Sequence, residues 1–163
     1  MYLRSRSKSS RYKINWSEFI EESEDYHTIE HIYPQNPRKK CWTEKYRDFS
    51  TKEKSTLRHS LGNLVPLSKP KNSSFQNNCF ENKLGSESNQ VGFRYGSYSE
   101  NEIACYSDWT ANDILDRGVK LLTFMENRWG LSLGDKSEKV KFLGLEFVAK
   151  KQRRQALSKS KSS

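Results

Sequence analysis

Glu30-His31-Ile32-Tyr33-Pro34 and Leu61-Gly62-Asn63-Leu64-Val65-Pro66-Leu67 are the two stretches of this chain that decide its fold. Each is a short apolar run with turn-forming residues beside it, a pattern typical of β-strands. We predict one strand over 26–33, ended by the prolines that follow, and a second over 61–67. A helix is predicted over 72–83 because its apolar residues fall on one face. The order is therefore strand, strand, helix.

Outside this segment the patterns predict mostly helices and loops. Residues 14–25 form a short helix in this interpretation, and 42–58 form one or two more. Residues 68–71 are predicted as a turn, and 85–101 as an irregular loop. The best helical pattern begins at Thr110, a good N-cap, and ends at Gly130. Its apolar stripe is predicted to pack in the core, and consists of Ile114, Leu121, Leu122, Met125 and Trp129. An apolar segment over 140–148 follows.

The positive charge lies at the two ends of the chain. The formal net charge is +9, and residues 1–13 and 149–163 together contribute eleven positive charges and no acidic residue. The middle is therefore slightly acidic. Basic arms of this kind suit a polyanion such as DNA, because lysine and arginine displace counterions from phosphates. A solubilising tail is the alternative reading, and charge alone does not decide between the two.

The three cysteines, Cys41, Cys79 and Cys105, are far apart, and no pair has the C-x-x-C spacing. We therefore expect no disulfide framework and no structural zinc site, which favours a reducing, cytoplasmic compartment. The basic N-terminus has no apolar run after it, so it does not read as a signal peptide. No stretch approaches the roughly 18 apolar residues that a membrane span needs.

The polar residues of the strand-strand-helix segment fit the hydrolysis of a phosphodiester. Such a reaction needs a base that takes a proton from water, and histidine does this well near neutral pH. It also needs a cation that stabilises charge on the phosphate and the leaving oxygen. Glutamate and asparagine oxygens are hard ligands that suit Mg²⁺. Glu30 and His31 would point to opposite faces of a regular strand, so a shared site requires a bend, which Pro34 favours.

This ordered set of residues resembles the ββα-metal motif of HNH (His-Me finger) nucleases. The matching residues are Glu30-His31-Ile32-Tyr33-Pro34-Gln35, then Gly62-Asn63-Leu64, then Asn72, nine residues after Asn63. More narrowly, Thr28–Lys83 with the later Trp109, Ile114, Arg117 and Leu121 is similar to the C-terminal nuclease domain of GmrSD-type modification-dependent restriction enzymes. The resemblance covers roughly residues 26–130.

The resemblance implies a role for each residue. His31 is the general base, and Asn63 holds the loop and a backbone carbonyl that orients His31. Glu30 and Asn72 bind the metal, Mg²⁺ or another divalent cation such as Mn²⁺. Many HNH proteins have aspartate at the position of Glu30, which is one methylene longer. Each residue also has an ordinary alternative, as a turn former, a helix cap or a solvated side chain. The candidate phosphate contacts are His59, Lys69, Lys71, Lys83 and Arg117.

The sequence thus predicts an α+β fold with a ββα-metal (HNH) core, flanking helices and basic flexible termini. Its predicted divisions are a flexible arm over 1–13, a nuclease domain over 14–148 and a disordered tail over 149–163. The predicted function is metal-dependent DNA cleavage in restriction of foreign or modified DNA. The alternatives are a catalytically silent nucleic-acid-binding module with the same fold, and a nuclease directed at RNA. Relatives imply a separate sensing and nucleotide-handling domain or subunit as a partner.

Overall fold

In a computed structural model of the chain, which describes residues 28–160, the fold is α+β, mostly helical with a small two-stranded sheet. The strands are β1 (Thr28–His31) and β2 (Leu64–Leu67). The α-helices are α1 (Lys40–Thr43), α2 (Thr51–His59), α3 (Lys69–Phe75), α4 (Phe80–Leu84), α5 (Tyr98–Ile103), α6 (Ala111–Trp129), α7 (Lys136–Phe142) and α8 (Glu146–Ser160). Two 3₁₀ turns cover Leu61–Asn63 and Phe93–Tyr95. The predictions for residues 1–13 and 14–25 lie outside the described part.

The two strands pair antiparallel, with Glu30 opposite Val65 and His31 opposite Leu64. Both predicted strands are therefore present, although the first three residues of the second form a 3₁₀ turn. That turn packs directly on the backbone of α6. A β-carbon at Gly62 would lie 1.9 Å from the Ile114 carbonyl oxygen, so only glycine fits there. Long helix α6 thus supports the strand pair from one side.

The helix predicted over 72–83 was wrong in its bounds. The chain forms α3 from Lys69 and α4 from Phe80, with a break between them. Pro70 lies in the first turn of α3, where proline's missing N–H costs nothing, so the predicted turn over 68–71 is the start of a helix instead. The break begins at Gln76, whose φ is +39°, a value unusual for a residue with a side chain. This break brings residues 76–79 toward β1.

Helix α6 has the predicted ends but not the whole predicted stripe. Thr110 and Asp113 form a capping box at its start, and Gly130 ends it with φ +64°. Ile114 and Leu122 are buried as expected. Trp129, however, is 51% exposed. The buried face is completed by Ala111, Leu115, Arg117 and Gly118.

The C-terminal residues differ from the predicted disordered tail. Residues 146–160 form α8, which contacts α6 and α7. Leu145, just before this helix, and Val148, in its first turn, are buried. The apolar segment predicted over 140–148 is thus divided between two helices that pack on the domain. No described helix is both long enough and apolar enough to cross a membrane.

A disulfide joins Cys41 of α1 to Cys79, the residue before α4. The expectation that the cysteines are unpaired was therefore wrong for this pair, and only Cys105 is a free thiol. Spacing could not reveal the bond, because its partners are 38 residues apart and the fold brings them together. The bond ties the break after α3 to the segment that follows β1.

Removing this disulfide should lower the free energy of unfolding by about 2–4 kcal/mol, because the closed loop restricts the unfolded chain. The measurement is urea unfolding of the oxidised protein against a Cys41→Ser, Cys79→Ser variant. Cys105→Ser is the matched control, since its exposed thiol is unpaired, and it should change little. Equal stability of the oxidised protein and the double variant would contradict the expectation.

Candidate active site

Glu30 and His31 line one pocket of about 190 Å³ at the end of β1. Both residues lie in β1, and they occupy its last two positions. The pocket is completed by Pro34, Gln35 and Asn36 from the segment after β1, and by Gln76 and Asn77 from the break after α3. The pocket therefore lies between residues 30–36 and residues 76–77.

His31 is half-buried and has two side-chain neighbours at its Nε2 atom. The Gln35 amide nitrogen and His59 Nδ1 each lie 3.3 Å from it. Because an amide nitrogen donates hydrogen bonds and does not accept them, Nε2 takes the acceptor role. Burial lowers the pKa of His31 below that of an ordinary histidine, and the nearby His59, Lys83 and Arg58 lower it further. The imidazole is therefore neutral near pH 7 and can accept a proton.

Glu30 is buried and forms an ion pair with Lys83, whose side chain is fully buried. Burial raises the pKa of the Glu30 carboxyl, with Lys83 opposing the shift. Burial also lowers the pKa of Lys83, with Glu30 opposing that shift. For both groups, the loss of water outweighs the attraction between the charges.

Lys83 also fixes the backbone of β1. Its Nζ donates to the Ile32 carbonyl oxygen at 3.1 Å and lies 3.4 Å from that of His31. The same ammonium group therefore positions Glu30 and the backbone beside His31. Sequence reasoning assigned Lys83 to DNA phosphate, and its burial corrects this assignment.

Asn63 is fully buried, and its side-chain amide is hydrogen bonded on every side. Its Oδ1 accepts from the Tyr33 backbone N–H at 2.8 Å and from Trp109 Nε1 at 3.0 Å. Its Nδ2 donates to the carbonyl oxygens of Tyr33 and Arg58 at 3.0 and 2.8 Å. Asn63 therefore holds the backbone two residues beyond His31. Since no part of the amide faces the pocket's solvent, we treat Asn63 as a positioning residue.

Asn72 lies in α3, which contacts β1, but it does not line the Glu30–His31 pocket. Its side chain is half-buried and makes no hydrogen bond to another described residue. Asn77, which sequence reasoning did not select, does line the pocket. Asn77 could have been selected only if the break between α3 and α4 had been predicted. The apolar residues over 72–83 fall on one face and predicted a continuous helix instead.

The remaining predicted phosphate contacts have different surroundings. Arg117 is 2% exposed and donates to the carbonyl oxygens of Gly62 and Leu64 at 2.8 and 2.9 Å. It joins β2 to α5 through Glu102, so the assignment of Arg117 to DNA is also corrected. Lys71 forms an ion pair with Glu100. His59 and Lys69 are exposed, and His59 lies beside His31.

Among residues 28–160, no three histidine, cysteine, aspartate or glutamate side chains are grouped closely enough to hold a metal ion. A cation at the Glu30 pocket would therefore rely on amide oxygens and water beside this one carboxylate. Mg²⁺ accepts such a set, because it keeps several waters and binds few protein groups. Lys83 engages the Oε1 atom of Glu30.

The family model for the C-terminal domain of GmrSD restriction endonucleases matches residues 1–124. The matched part includes both strands, the pocket and most of α6, and it ends before α7. No curated protein and no solved structure matches the chain.

Proposed function

The chain belongs to the family of GmrSD restriction endonuclease C-terminal domains, which indicates a nuclease role in restriction, and from this premise we propose that it is a metal-dependent DNA endonuclease. In this proposal β1, β2 and α3 form an HNH-type ββα core. The observation that carries it is a half-buried, neutral histidine beside a buried carboxylate in one pocket, His31 and Glu30. A general base beside a cation ligand is the arrangement that phosphodiester hydrolysis needs.

In the proposed reaction, His31 accepts a proton from a water molecule as the water oxygen attacks the phosphorus atom. The bond from phosphorus to the 3′ oxygen breaks, and that oxygen takes up a proton from solvent. The products are a 5′-phosphate and a 3′-hydroxyl. When bound, Mg²⁺ or Mn²⁺ supplies positive charge to the phosphate and to the leaving oxygen. Lys83 and Asn63 hold the backbone that follows His31. Lys83 binds the Ile32 carbonyl oxygen, and Asn63 accepts from the Tyr33 N–H.

We propose Glu30 and Asn72 as ligands of the cation. Glu30 supports this because its carboxylate is a hard oxygen ligand and the residue lines the pocket beside His31. Asn72 is supported by its resemblance to the last residue of the HNH motif, nine residues after Asn63, and by a half-buried side chain with no hydrogen bond to other described residues. His59 and Lys69 remain the proposed phosphate contacts, since both are exposed. His59 lies beside His31, and Lys69 is the first residue of α3. A separate sensing subunit or domain would select foreign or modified DNA.

The experiment is plasmid nicking with Mg²⁺, with Mn²⁺ and with EDTA. We expect conversion of supercoiled plasmid to nicked or linear forms with either metal, and a loss of at least about 100-fold with EDTA, because the charge on the leaving oxygen is then unstabilised. Restoring Mg²⁺ in excess over EDTA should restore the rate. Cleavage that persists in EDTA would contradict metal dependence, and DNA binding without any cleavage would favour a catalytically silent module.

A further inference from the structure

We infer that Asn77 provides a further oxygen ligand, through its side-chain carbonyl, for the divalent cation at the Glu30 pocket. The inference rests on the proposed metal-dependent function and adds a residue to its site. Asn77 lies five residues beyond Asn72, outside the helix that carries the family motif's asparagine. Three separate observations on the described residues support it.

The first observation is an oxygen without a partner. The Oδ1 atom of Asn77 is buried and accepts no hydrogen bond in the described structure. Leaving a buried polar atom unsatisfied costs about 1–3 kcal/mol, so native structures rarely keep one without a reason. A bound ion is one of the few explanations that removes this cost.

The second observation is where this side chain lies. Asn77 lines the pocket that Glu30 and His31 line, and Asn72 does not. A carboxylate and an amide oxygen are a ligand set that Mg²⁺ and Mn²⁺ accept, with water completing the coordination. The pocket thus combines one negative charge, one unsatisfied carbonyl oxygen and the histidine base.

The third observation is the number of bonds that hold the segment around Asn77 in place. Asn78 accepts from Lys39 Nζ at 2.7 Å with its side chain, and from Trp42 Nε1 at 3.1 Å with its backbone carbonyl. The disulfide from Cys79 to Cys41 follows directly. Gln76, on the other side, is held at φ +39°.

A backbone conformation that costs energy persists only where its surroundings enforce it, and such positions cluster at functional sites. Here the enforcing contacts surround Asn77, whose buried side-chain oxygen lacks a partner. They fix Asn77 against the Glu30 pocket before any ligand binds, which lowers the cost of ordering the site on binding.

The test is calorimetric titration of the full chain with Mn²⁺ in the absence of DNA. We expect Asn77→Ala to weaken Mn²⁺ binding by at least about 10-fold, while Asn77→Asp, which keeps an oxygen and adds charge, binds at least as tightly as the unsubstituted protein. Asn82→Ala is the matched control, because Asn82 is exposed on α4, and it should bind as the unsubstituted protein does.

Unfolding of the metal-free variants gives a second readout. Since Asn77 Oδ1 makes no hydrogen bond, Asn77→Ala should unfold at the same denaturant concentration as the unsubstituted protein, or at a higher one. A marked loss of metal-free stability would mean that Asn77 is structural and would overturn the inference. Unchanged Mn²⁺ affinity in Asn77→Ala would overturn it as well, and would leave metal-dependent cleavage standing. If the unsubstituted protein binds no Mn²⁺ and cleaves in EDTA, the proposed function itself fails.

Discussion

Replacing His31 with alanine will reduce plasmid cleavage by about 100- to 10,000-fold or more, because general-base catalysis contributes rate factors of this size. The physical reason is that His31 is the neutral, half-buried imidazole in the pocket, with its pKa lowered by burial and by nearby positive charge. The measurement is the single-turnover rate of nicking with saturating Mg²⁺.

A measurement of DNA affinity distinguishes a loss of catalysis from a loss of DNA binding. His31→Ala should bind plasmid DNA in a gel-shift assay with about the affinity of the unsubstituted protein. Added imidazole should restore part of the cleavage rate, since it can occupy the space that the side chain leaves. His59→Gln tests the neighbouring histidine, whose Nδ1 atom lies 3.3 Å from His31 Nε2. As a proposed phosphate contact, His59 should affect binding more than the rate at saturation. A His31→Ala protein that cleaves at the normal rate would exclude His31 as the base.

Replacing Lys83 with methionine will lower the free energy of unfolding by about 3–5 kcal/mol, because it leaves the Glu30 carboxylate buried without its cation. The substitution also removes the donor to the Ile32 carbonyl oxygen. Since that contact holds β1 at its catalytic end, cleavage should fall even at temperatures where the variant remains folded. Urea unfolding followed by circular dichroism measures the first effect, and plasmid nicking measures the second.

Two variants control for this result. Lys52→Met removes an exposed lysine from α2 and should change stability by no more than about 0.5 kcal/mol. Glu30→Gln combined with Lys83→Met removes both charges, and should be more stable than Lys83→Met alone, because no uncompensated charge remains buried. That double variant should still lack activity. A Lys83→Met protein as stable as the unsubstituted one would show that the pair is not coupled in the folded state.

Local chemistry determined the parts of the fold that sequence reasoning predicted well. The ends of α6 followed from a capping residue at Thr110 and a glycine at Gly130, whose effects act within one turn. The two strands followed from short apolar runs, and the α+β class followed from their combination with helical patterns. The family followed from the ordered residues around His31, and the match over 1–124 confirms it.

Long-range contacts decided what the sequence left open. A lysine reads as exposed by default, and Lys83 is buried because a carboxylate 53 residues earlier pairs with it. Arg117 is likewise buried by carbonyl groups that the turn at Gly62 brings to α6. The Cys41–Cys79 bond has no spacing pattern, since it depends on where two distant segments meet.

The sequence by itself determined the family, because the residues around His31 carry its resemblance in their order and spacing. The same order and spacing predicted that His31, Glu30, Asn63 and Asn72 act as one motif. Only the tertiary structure decided which polar groups share the pocket. It placed Asn77 there and left Asn72 out of the lining. The physical reason is the break at Gln76, where contacts to α1 override a helical pattern that the residues over 72–83 would favour on their own.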